Sequence, residues 1–279
     1  MGTGQTPHGG RMGMWATDEA AAAWQAGAVA REQVFASATA RLLALASVEV
    51  GGRVLDVAAG TGEQSFQAAR LVGSSGLILA TDISSSMLAL AAAHARELGL
   101  AQVETQVADA QHLDVSAGTF DAAISRFGLM FMPDLPGALA GIRRALRAGG
   151  RFAAMVWSSP EHNPLFAVPL ALARPYAPNA APTDLFCLGD PGLLRETYER
   201  AGFTAVAVET ATLEFRAPSV EDFVQGRPGA TGPLANLLAT LGEEGQIRLR
   251  GEVATALRRY EGPAGLVAPG EALIVTGTR

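Results

Sequence analysis

The pattern of apolar and polar residues along this chain alternates between short continuous apolar runs and segments with helical periodicity. The apolar runs "GGRVLDVA", "GLILATDI", "FDAAISRF" and "RFAAMVWS", and the alternating "QVETQVAD", predict strands. Between them, apolar residues recur every three or four positions and predict helices over 63–72, from Ser84 or Ser85 to Gly99, and over 135–147. Strand and helix alternate five times, which predicts an α/β fold with a doubly wound, Rossmann-like parallel sheet.

The pattern changes after Ser159. Residues 160–192 are rich in proline and predict an irregular or short-helical insertion, followed by a helix at about 191–201. The segment "FTAVAVETATLEF" predicts a sixth strand, residues 218–262 are mostly helical in pattern, and "EALIVTGTR" predicts a final strand. We expect the last two strands to form an antiparallel, hairpin-like pair at the sheet edge, completing a seven-stranded sheet.

A long helix is predicted at the other end of the chain, from Thr17 as N-cap to about Ser47. One face of it should dock on the sheet, because its members recur at intervals of three and four: Trp24, Ala28, Arg31, Phe35, Ala38, Leu42 and Leu45. Arg31 is the charged exception, and its burial is costly without an anion. Three interpretations remain open: a protein carboxylate meets it, a bound carboxylate meets it, or its head group reaches solvent.

Composition excludes several classes of function. The net charge of −6 and the absence of a basic run argue against a nucleic-acid partner. All 21 cationic residues are arginine, which excludes any mechanism that needs a lysine amine. One cysteine and four scattered histidines predict no disulfide and no metal site. With no apolar run near the roughly 18 residues of a membrane span and no signal-peptide pattern, we expect a cytoplasmic protein without a membrane partner.

The stretch "VLDVAAGTGEQS" joins a strand to a helix through a glycine-rich turn, as in many nucleotide-binding sites. A dinucleotide fingerprint would place a third glycine where Ser65 stands. Asp82, at the end of the second strand and 20 residues beyond Gly62, suits a ribose diol. It suits the ribose of a nicotinamide cofactor equally well, and a turn that holds no ligand is the third interpretation.

Features further along separate these possibilities. The third strand ends in "VADAQHL", where Asp109 can accept a hydrogen bond from an adenine amine, and the fourth leads into "SRFGLMFMPD". With the glycine turn, these parts resemble the class I S-adenosylmethionine-dependent methyltransferases, and among them the ubiquinone/menaquinone-biosynthesis type. The resemblance is strong over about 50–159, extends to "FCLGDPGLLRETYERAGF" at 186–203, and holds elsewhere only in outline.

The resemblance implies roles for individual residues. The first family motif, D-x-G-x-G-x-G, falls on Asp56, Ala58, Gly60 and Gly62, with Thr61 inside the turn and alanine in place of the first glycine. Asp82 would hold the ribose, and the adenine and the methionine end would be met by Ile83, Met87, Asp109, Ala110, Ser125, Arg126 and Arg31.

An aromatic pocket for the acceptor is expected around the ends of strands four and five, with the N-terminal helix as its lid. Its predicted members are Trp15, Trp24, Phe127, Phe131, Trp157 and Phe166. Core packing is the alternative for Phe127 and Phe131. His162 is the candidate general base, with an exposed loop histidine as the alternative.

The sequence therefore predicts methyl transfer from S-adenosylmethionine to a small, largely apolar or aromatic metabolite, in quinone-like or secondary-metabolite biosynthesis. The rivals are a nicotinamide-dependent oxidoreductase and a non-catalytic S-adenosylmethionine-binding protein. The acceptor atom and the oligomeric state, a homo-oligomer included, stay open. The predicted parts are an arm and helical lid (1–48), a cofactor-binding core (49–159), a substrate cover (160–192), and the rest of the core (193–279) with its helical insertion (218–262).

Overall fold

A twisted sheet with one antiparallel strand in its interior organises the chain. The computed structural model describes Trp15 and residues 17–176, 184–225 and 241–279. Within these ranges the sheet has eight strands in the order β3-β2-β1-β4-β5-β8-β6, with β7 paired to β8. They are β1 (Arg53–Val57), β2 (Leu77–Asp82), β3 (Val103–Val107), β4 (Phe120–Arg126), β5 (Leu146–Trp157), β6 (Thr204–Ala217), β7 (Glu261–Gly262) and β8 (Gly265–Thr278).

The predicted fold class is confirmed. Strands β3, β2, β1, β4 and β5 pair in parallel, and β8 pairs antiparallel with both β5 and β6. The last two long strands form an antiparallel pair as predicted. The final strand is nevertheless not the edge: β8 lies inside the sheet, and β6 forms its border. The two-residue β7 was not predicted.

Helices connect the strands at the predicted places. They are α1 (Asp18–Ala26), α2 (Ala28–Leu45), α3 (Glu63–Val72), α4 (Ser85–Glu97), α5 (Leu135–Ala145), α6 (Pro164–Ala173), α7 (Pro191–Arg200), α8 (Val220–Gln225) and α9 (Glu243–Leu257). The Thr17 side chain accepts a hydrogen bond from the Ala20 amide, so its predicted N-cap role is confirmed. Ser84 caps α4 in the same way.

The single N-terminal helix predicted for 17–47 is wrong in one respect, because two helices meet at Gly27. Glycine is among the weakest helix formers, and this junction also holds the head group of Arg31. Its Nη1 donates a 2.5 Å hydrogen bond to the Trp24 carbonyl, so the guanidinium folds back over the junction. A Cβ at Gly27 would lie 2.8 Å from that nitrogen. Glycine therefore leaves the space that the Arg31 head group occupies.

The predicted docking face of this region is confirmed for its second half. Phe35, Ala38 and Leu42 on α2 are buried and belong to the same apolar core as the inner strands. That core also takes in Leu249 and Val253 from α9. Apolar residues from both ends of the described chain are thus packed into one interior.

Parts of several predicted segments lie outside the described residues: most of the glycine-rich arm, 177–183 of the proline-rich insertion and 226–240 of the helical insertion. Where the boundaries between parts fall stays a prediction. None of the helices in the described ranges has the length and apolar character needed to cross a bilayer.

Candidate functional site

A cavity of about 890 Å³ opens at the carboxyl ends of β1, β2, β4 and β5. Ligands of open α/β sheets bind at this edge, and the volume lies toward the upper end of the usual range for ligand pockets, roughly 300–1,000 Å³. Many of the predicted site residues line it together: Trp15, Trp24, Arg31, Ala58, Gly60, Asp82, Ile83, Met87, Ala110, Arg126, Phe127, Phe131, Trp157 and Phe166.

Other predicted residues lie behind the wall or away from it. Asp56 and Ser125 are fully buried beneath the turn, and Asp109 is the N-cap of a short 3-10 helix, where its carboxylate accepts from the Gln111 amide. Burial opposes ionisation of Asp109, yet hydrogen bonds from Gln111 and the nearby His112 hold the pKa of its carboxyl below the ordinary value. Thr61 and Gly62 complete the turn without reaching the cavity wall.

The turn bends through left-handed backbone conformations. Gly60 and Gly62 have φ of 57° and 89°, which glycine adopts without cost. Asp82 ties the turn to the next strand, since its carboxylate accepts from the amides of Gly60 and Ser84, each at 2.9 Å. Burial raises the pKa of Asp82, and these two bonds oppose the rise. Asp82 also belongs to the residues that line the cavity.

Ala58, where the resemblance expects glycine, also has a positive φ, of 57°. An L-residue in this region is strained by about 1–2 kcal/mol. Its methyl group fits because the facing residue is Gly128: a Cβ built there would lie 2.5 Å from the Ala58 Cβ. The extra carbon at one position is thus matched by a missing carbon at the other.

Asp56 supports the turn from inside. Ser65 donates to its carboxylate at 2.5 Å, and Gln64 at 3.2 Å. Burial raises the pKa of Asp56 to about 7, against the opposing effect of these two donors. Its role is to fix the start of α3, and it is not exposed to a ligand.

The stability of the fold should depend on pH through this carboxyl. In the unfolded chain an aspartate has a pKa of about 3.9. Between about pH 4 and 7, Asp56 is therefore protonated in the folded protein and ionised in the unfolded chain. Stability therefore falls as pH rises through this window and levels off above it. We expect a loss of about 2 kcal/mol in the free energy of unfolding between about pH 5.5 and 8.5.

Urea unfolding of the parent and of Asp56→Asn at both pH values measures this effect. The variant keeps the shape of the side chain and has no proton to release, so its stability should change much less. Equal pH dependence in the two proteins would contradict the assignment.

Glu63 and Gln64 line the cavity and were missed by the sequence analysis. Glu63 is the buried centre of a charge cluster, accepting from Arg31 Nη2 and Arg126 Nη2, both at 2.7 Å, and from the Thr61 hydroxyl at 2.7 Å. Burial opposes its ionisation, but the two guanidinium groups hold the pKa of Glu63 below its ordinary value. The signal was present in the sequence: an acidic residue opens the helix just after the glycine turn.

The cluster shows which group meets the guanidinium of Arg31. A protein carboxylate meets it, as in the first of the three interpretations, and its side chain is 14% exposed. The Arg31 Nε is buried and has no partner among the described residues. Two guanidinium groups share one carboxylate, so the three side chains of this cluster together carry one net positive charge.

Aromatic rings form the other end of the cavity. Phe127 stacks on Trp157 with ring centroids 4.2 Å apart, and Trp157 contacts Phe166 at 4.6 Å and Phe215 at 6.2 Å. Phe127 and Phe131 line the cavity and also pack on the apolar core. The predicted cavity position and the alternative of core packing therefore each describe part of their surroundings. Phe215 on β6 was not predicted.

His162 lies elsewhere, on a separate cavity of about 420 Å³ with Ser158 and Glu271. Its Nδ1 is 2.9 Å from a Glu271 carboxylate oxygen. The neighbouring Asn163 explains this orientation, since its side chain donates to the Glu271 carbonyl at 2.9 Å and accepts from the Glu271 amide at 3.0 Å. The structure therefore does not bring His162 to the aromatic end of the large cavity.

Comparison with known proteins places the chain in a family. Residues 35–174 match the model of the ubiE/COQ5 methyltransferase family. The chain is 41% identical over 119 residues to the ubiquinone/menaquinone biosynthesis C-methyltransferase UbiE of Cellvibrio japonicus, covering 42% of this chain and 47% of that protein. The chain thus spans about half the length of such relatives.

Two further comparisons cover more of the chain. The nocamycin O-methyltransferase of Saccharothrix syringae is 31% identical over 205 residues, 69% of this chain and 73% of that one. In three dimensions, the BH2331 protein of Bacillus halodurans superposes with a TM-score of 0.61 at 20% identity, covering 87% of this chain and 98% of that one. The latter shows a shared fold. From these matches, the chain belongs to the ubiE/COQ5 methyltransferase family, within the class I S-adenosylmethionine-dependent methyltransferases that the sequence resembled.

Proposed function

We propose that this chain transfers the methyl group of S-adenosylmethionine to a small, largely apolar or aromatic acceptor. The observation that carries the proposal is the continuity of one cavity, whose wall includes both Gly60 with Asp82 and the rings of Phe127, Trp157 and Phe166. A polar, charged end suited to a nucleoside and an amino acid therefore opens into an apolar end suited to a flat acceptor.

The residues at the polar end fit the cofactor. Asp82 offers a carboxylate to a ribose diol, and Ile83, Met87 and Ala110 offer apolar surface to an adenine. At the methionine end, Arg31 and Arg126 line the cavity beside Glu63, and their guanidinium groups suit a carboxylate.

When bound, S-adenosylmethionine would supply a sulfonium methyl group, whose carbon is transferred in line to a nucleophilic atom of the acceptor as S-adenosylhomocysteine leaves. The protein's part is to orient the two reactants and to exclude water. Trp24 lies over the glycine turn, where a Cβ built on Gly60 would be 3.5 Å from the indole Nε1. Trp15 contacts Trp24 and Phe131 with centroids 5.3 and 5.5 Å apart. These tryptophans support the role of the N-terminal region as a lid.

The relatives' names support a small organic acceptor without identifying it. One relative is named a C-methyltransferase of quinone biosynthesis and another an O-methyltransferase, so the methylated atom differs among similar chains. A role in quinone-like or secondary-metabolite biosynthesis is part of the proposal.

Calorimetric titration tests the cofactor assignment. The parent should bind S-adenosylmethionine, and Asp82→Ala should weaken that binding by roughly 1.5 to 3 kcal/mol, the range for hydrogen bonds to a charged group. Asp114→Ala is the matched control, because Asp114 is exposed and does not line the cavity. Unfolding midpoints of both variants check that the turn is intact.

The rivals have distinct signatures in the same experiment. Binding of NAD in preference to S-adenosylmethionine would favour the oxidoreductase. Tight S-adenosylmethionine binding, with no acceptor gaining one CH₂ in a mass-spectrometric screen, would favour the non-catalytic protein. An unchanged dissociation constant in Asp82→Ala would remove the ribose assignment.

A further inference from the structure

The aromatic end of the cavity is covered by helices from the second half of the chain, and one charged residue on that cover stands out. Helix α9 packs against α6 and α8, with Leu249 and Val253 buried in the core. Arg250 lies between these two in sequence and lines the cavity beside them. A guanidinium therefore shares a wall with apolar and aromatic side chains.

Arg250 has few partners in the described part of the chain. Its Nε is buried without a hydrogen bond, and its Nη2 is 3.5 Å from the Gln246 amide oxygen, at the limit for such a bond. Among the described residues no carboxylate lies within 4.0 Å of it, the distance used for ion pairs.

The other arginines that line the cavity have carboxylate partners. Arg216 pairs with Glu214 at 2.6 Å, and Arg31 and Arg126 share Glu63 at the opposite end. Asp222, on the same wall as Arg250, accepts from the Ser219 hydroxyl at 2.6 Å. Among the cavity-lining arginines in the described part of the chain, Arg250 is thus the one without a carboxylate partner.

A partly buried guanidinium without an anion is unfavourable, and its planar fork suits the two oxygens of a carboxylate or the oxygen of an acidic enol. We propose that Arg250 recognises an oxyanion carried by an otherwise apolar, aromatic-sized acceptor. This inference rests on the proposed function, which assigns this end of the cavity to the acceptor. It narrows the acceptor class to acidic molecules and makes Arg250 a specificity-determining residue.

A matched pair of fluorescent probes tests the assignment. 8-Anilinonaphthalene-1-sulfonate carries an oxyanion on an aromatic frame, and N-phenyl-1-naphthylamine has the same frame without it. Both are titrated into the parent, Arg250→Gln, Arg250→Lys and the control Arg248→Gln, with and without S-adenosylhomocysteine. Arg248 is exposed on the same helix, pairs with Glu244 and does not line the cavity.

We expect Arg250→Gln to weaken binding of the sulfonate about tenfold or more, one charge-assisted contact, and to change binding of the neutral probe less than about twofold, since apolar burial is unaltered. Arg250→Lys should retain part of the preference, and Arg248→Gln all of it. Equal losses for both probes, an unchanged sulfonate affinity in Arg250→Gln, or a parent that does not prefer the sulfonate would each overturn the inference.

Failure of the proposed function gives a different result. It appears as a parent that binds neither S-adenosylmethionine nor S-adenosylhomocysteine in calorimetry, whatever the probes show. Failure of the present inference appears in a protein whose cofactor binding is intact: either the parent does not prefer the sulfonate, or Arg250→Gln keeps the parent's preference.

Discussion

Replacing Glu63 with glutamine is expected to lower the free energy of unfolding by about 3–5 kcal/mol, because it leaves two buried guanidinium groups without their anion. Arg126 would keep the Thr39 hydroxyl, at 3.1 Å, and Arg31 the Trp24 carbonyl, while the glutamine amide oxygen could accept from one guanidinium but would carry no charge. Glutamine keeps the length and shape of the side chain, so loss of charge dominates the effect. Urea unfolding at neutral pH measures it.

The surface pair of Arg41 and Glu209 supplies the control. It has two hydrogen bonds at 2.6 and 2.8 Å but side chains 53% and 38% exposed, so Glu209→Gln should cost less than about 1 kcal/mol. The contribution of Glu63 is present above its ordinary pKa and is lost as pH falls through its lowered value. A cost for Glu63→Gln no larger than for Glu209→Gln would mean that the cluster is solvated.

Gly128→Ala is expected to destabilise the protein by about 3 kcal/mol, the upper part of the usual range for overpacking. The new methyl group would meet the Ala58 Cβ at 2.5 Å and the Ser125 hydroxyl at 3.0 Å. Neither contact is with the end of a long side chain, so the backbone must move. The same shift would displace the glycine turn and weaken cofactor binding.

Ala58→Gly should rescue that variant in part. Alone, this substitution relieves a strained φ, but it also increases the conformational entropy of the unfolded chain. We therefore expect it to change the free energy of unfolding by less than about 1 kcal/mol. In the double variant the Cβ contact is gone, and we expect a favourable coupling of roughly 1–2 kcal/mol in a double-mutant cycle. Additive costs would show that positions 58 and 128 do not compete for space.

Most elements of the fold were predictable, because a buried parallel sheet imposes continuous apolar runs and several of its helices carry capping residues at their starts. The break at Gly27 was not predicted, since an isolated glycine inside a helical pattern is often tolerated. The interior position of β8 was also missed. Strand order beyond nearest neighbours depends on pairing between distant segments, and a local pattern holds no record of it.

In the candidate site too, features set by local sequence were predictable and features set by contacts between distant residues were not. Asp82, Phe127 and Trp157 line the cavity as predicted, because they lie at the carboxyl ends of strands that the apolar runs indicate; their roles toward a ligand stay predictions. Glu63 was missed because its importance comes from two arginines 32 and 63 positions away. His162 was assigned from its place in sequence, whereas Asn163 and Glu271, 108 residues apart, decide where it lies. Long-range polar contacts of this kind appear only in three dimensions.

The interior position of β8 has a consequence during synthesis on the ribosome. The N–H and C=O groups along one side of β5 pair with β8, whose residues 265–278 are translated after every other element described. Until they emerge, the nascent sheet presents an open, apolar border to its surroundings, and such borders favour association between chains.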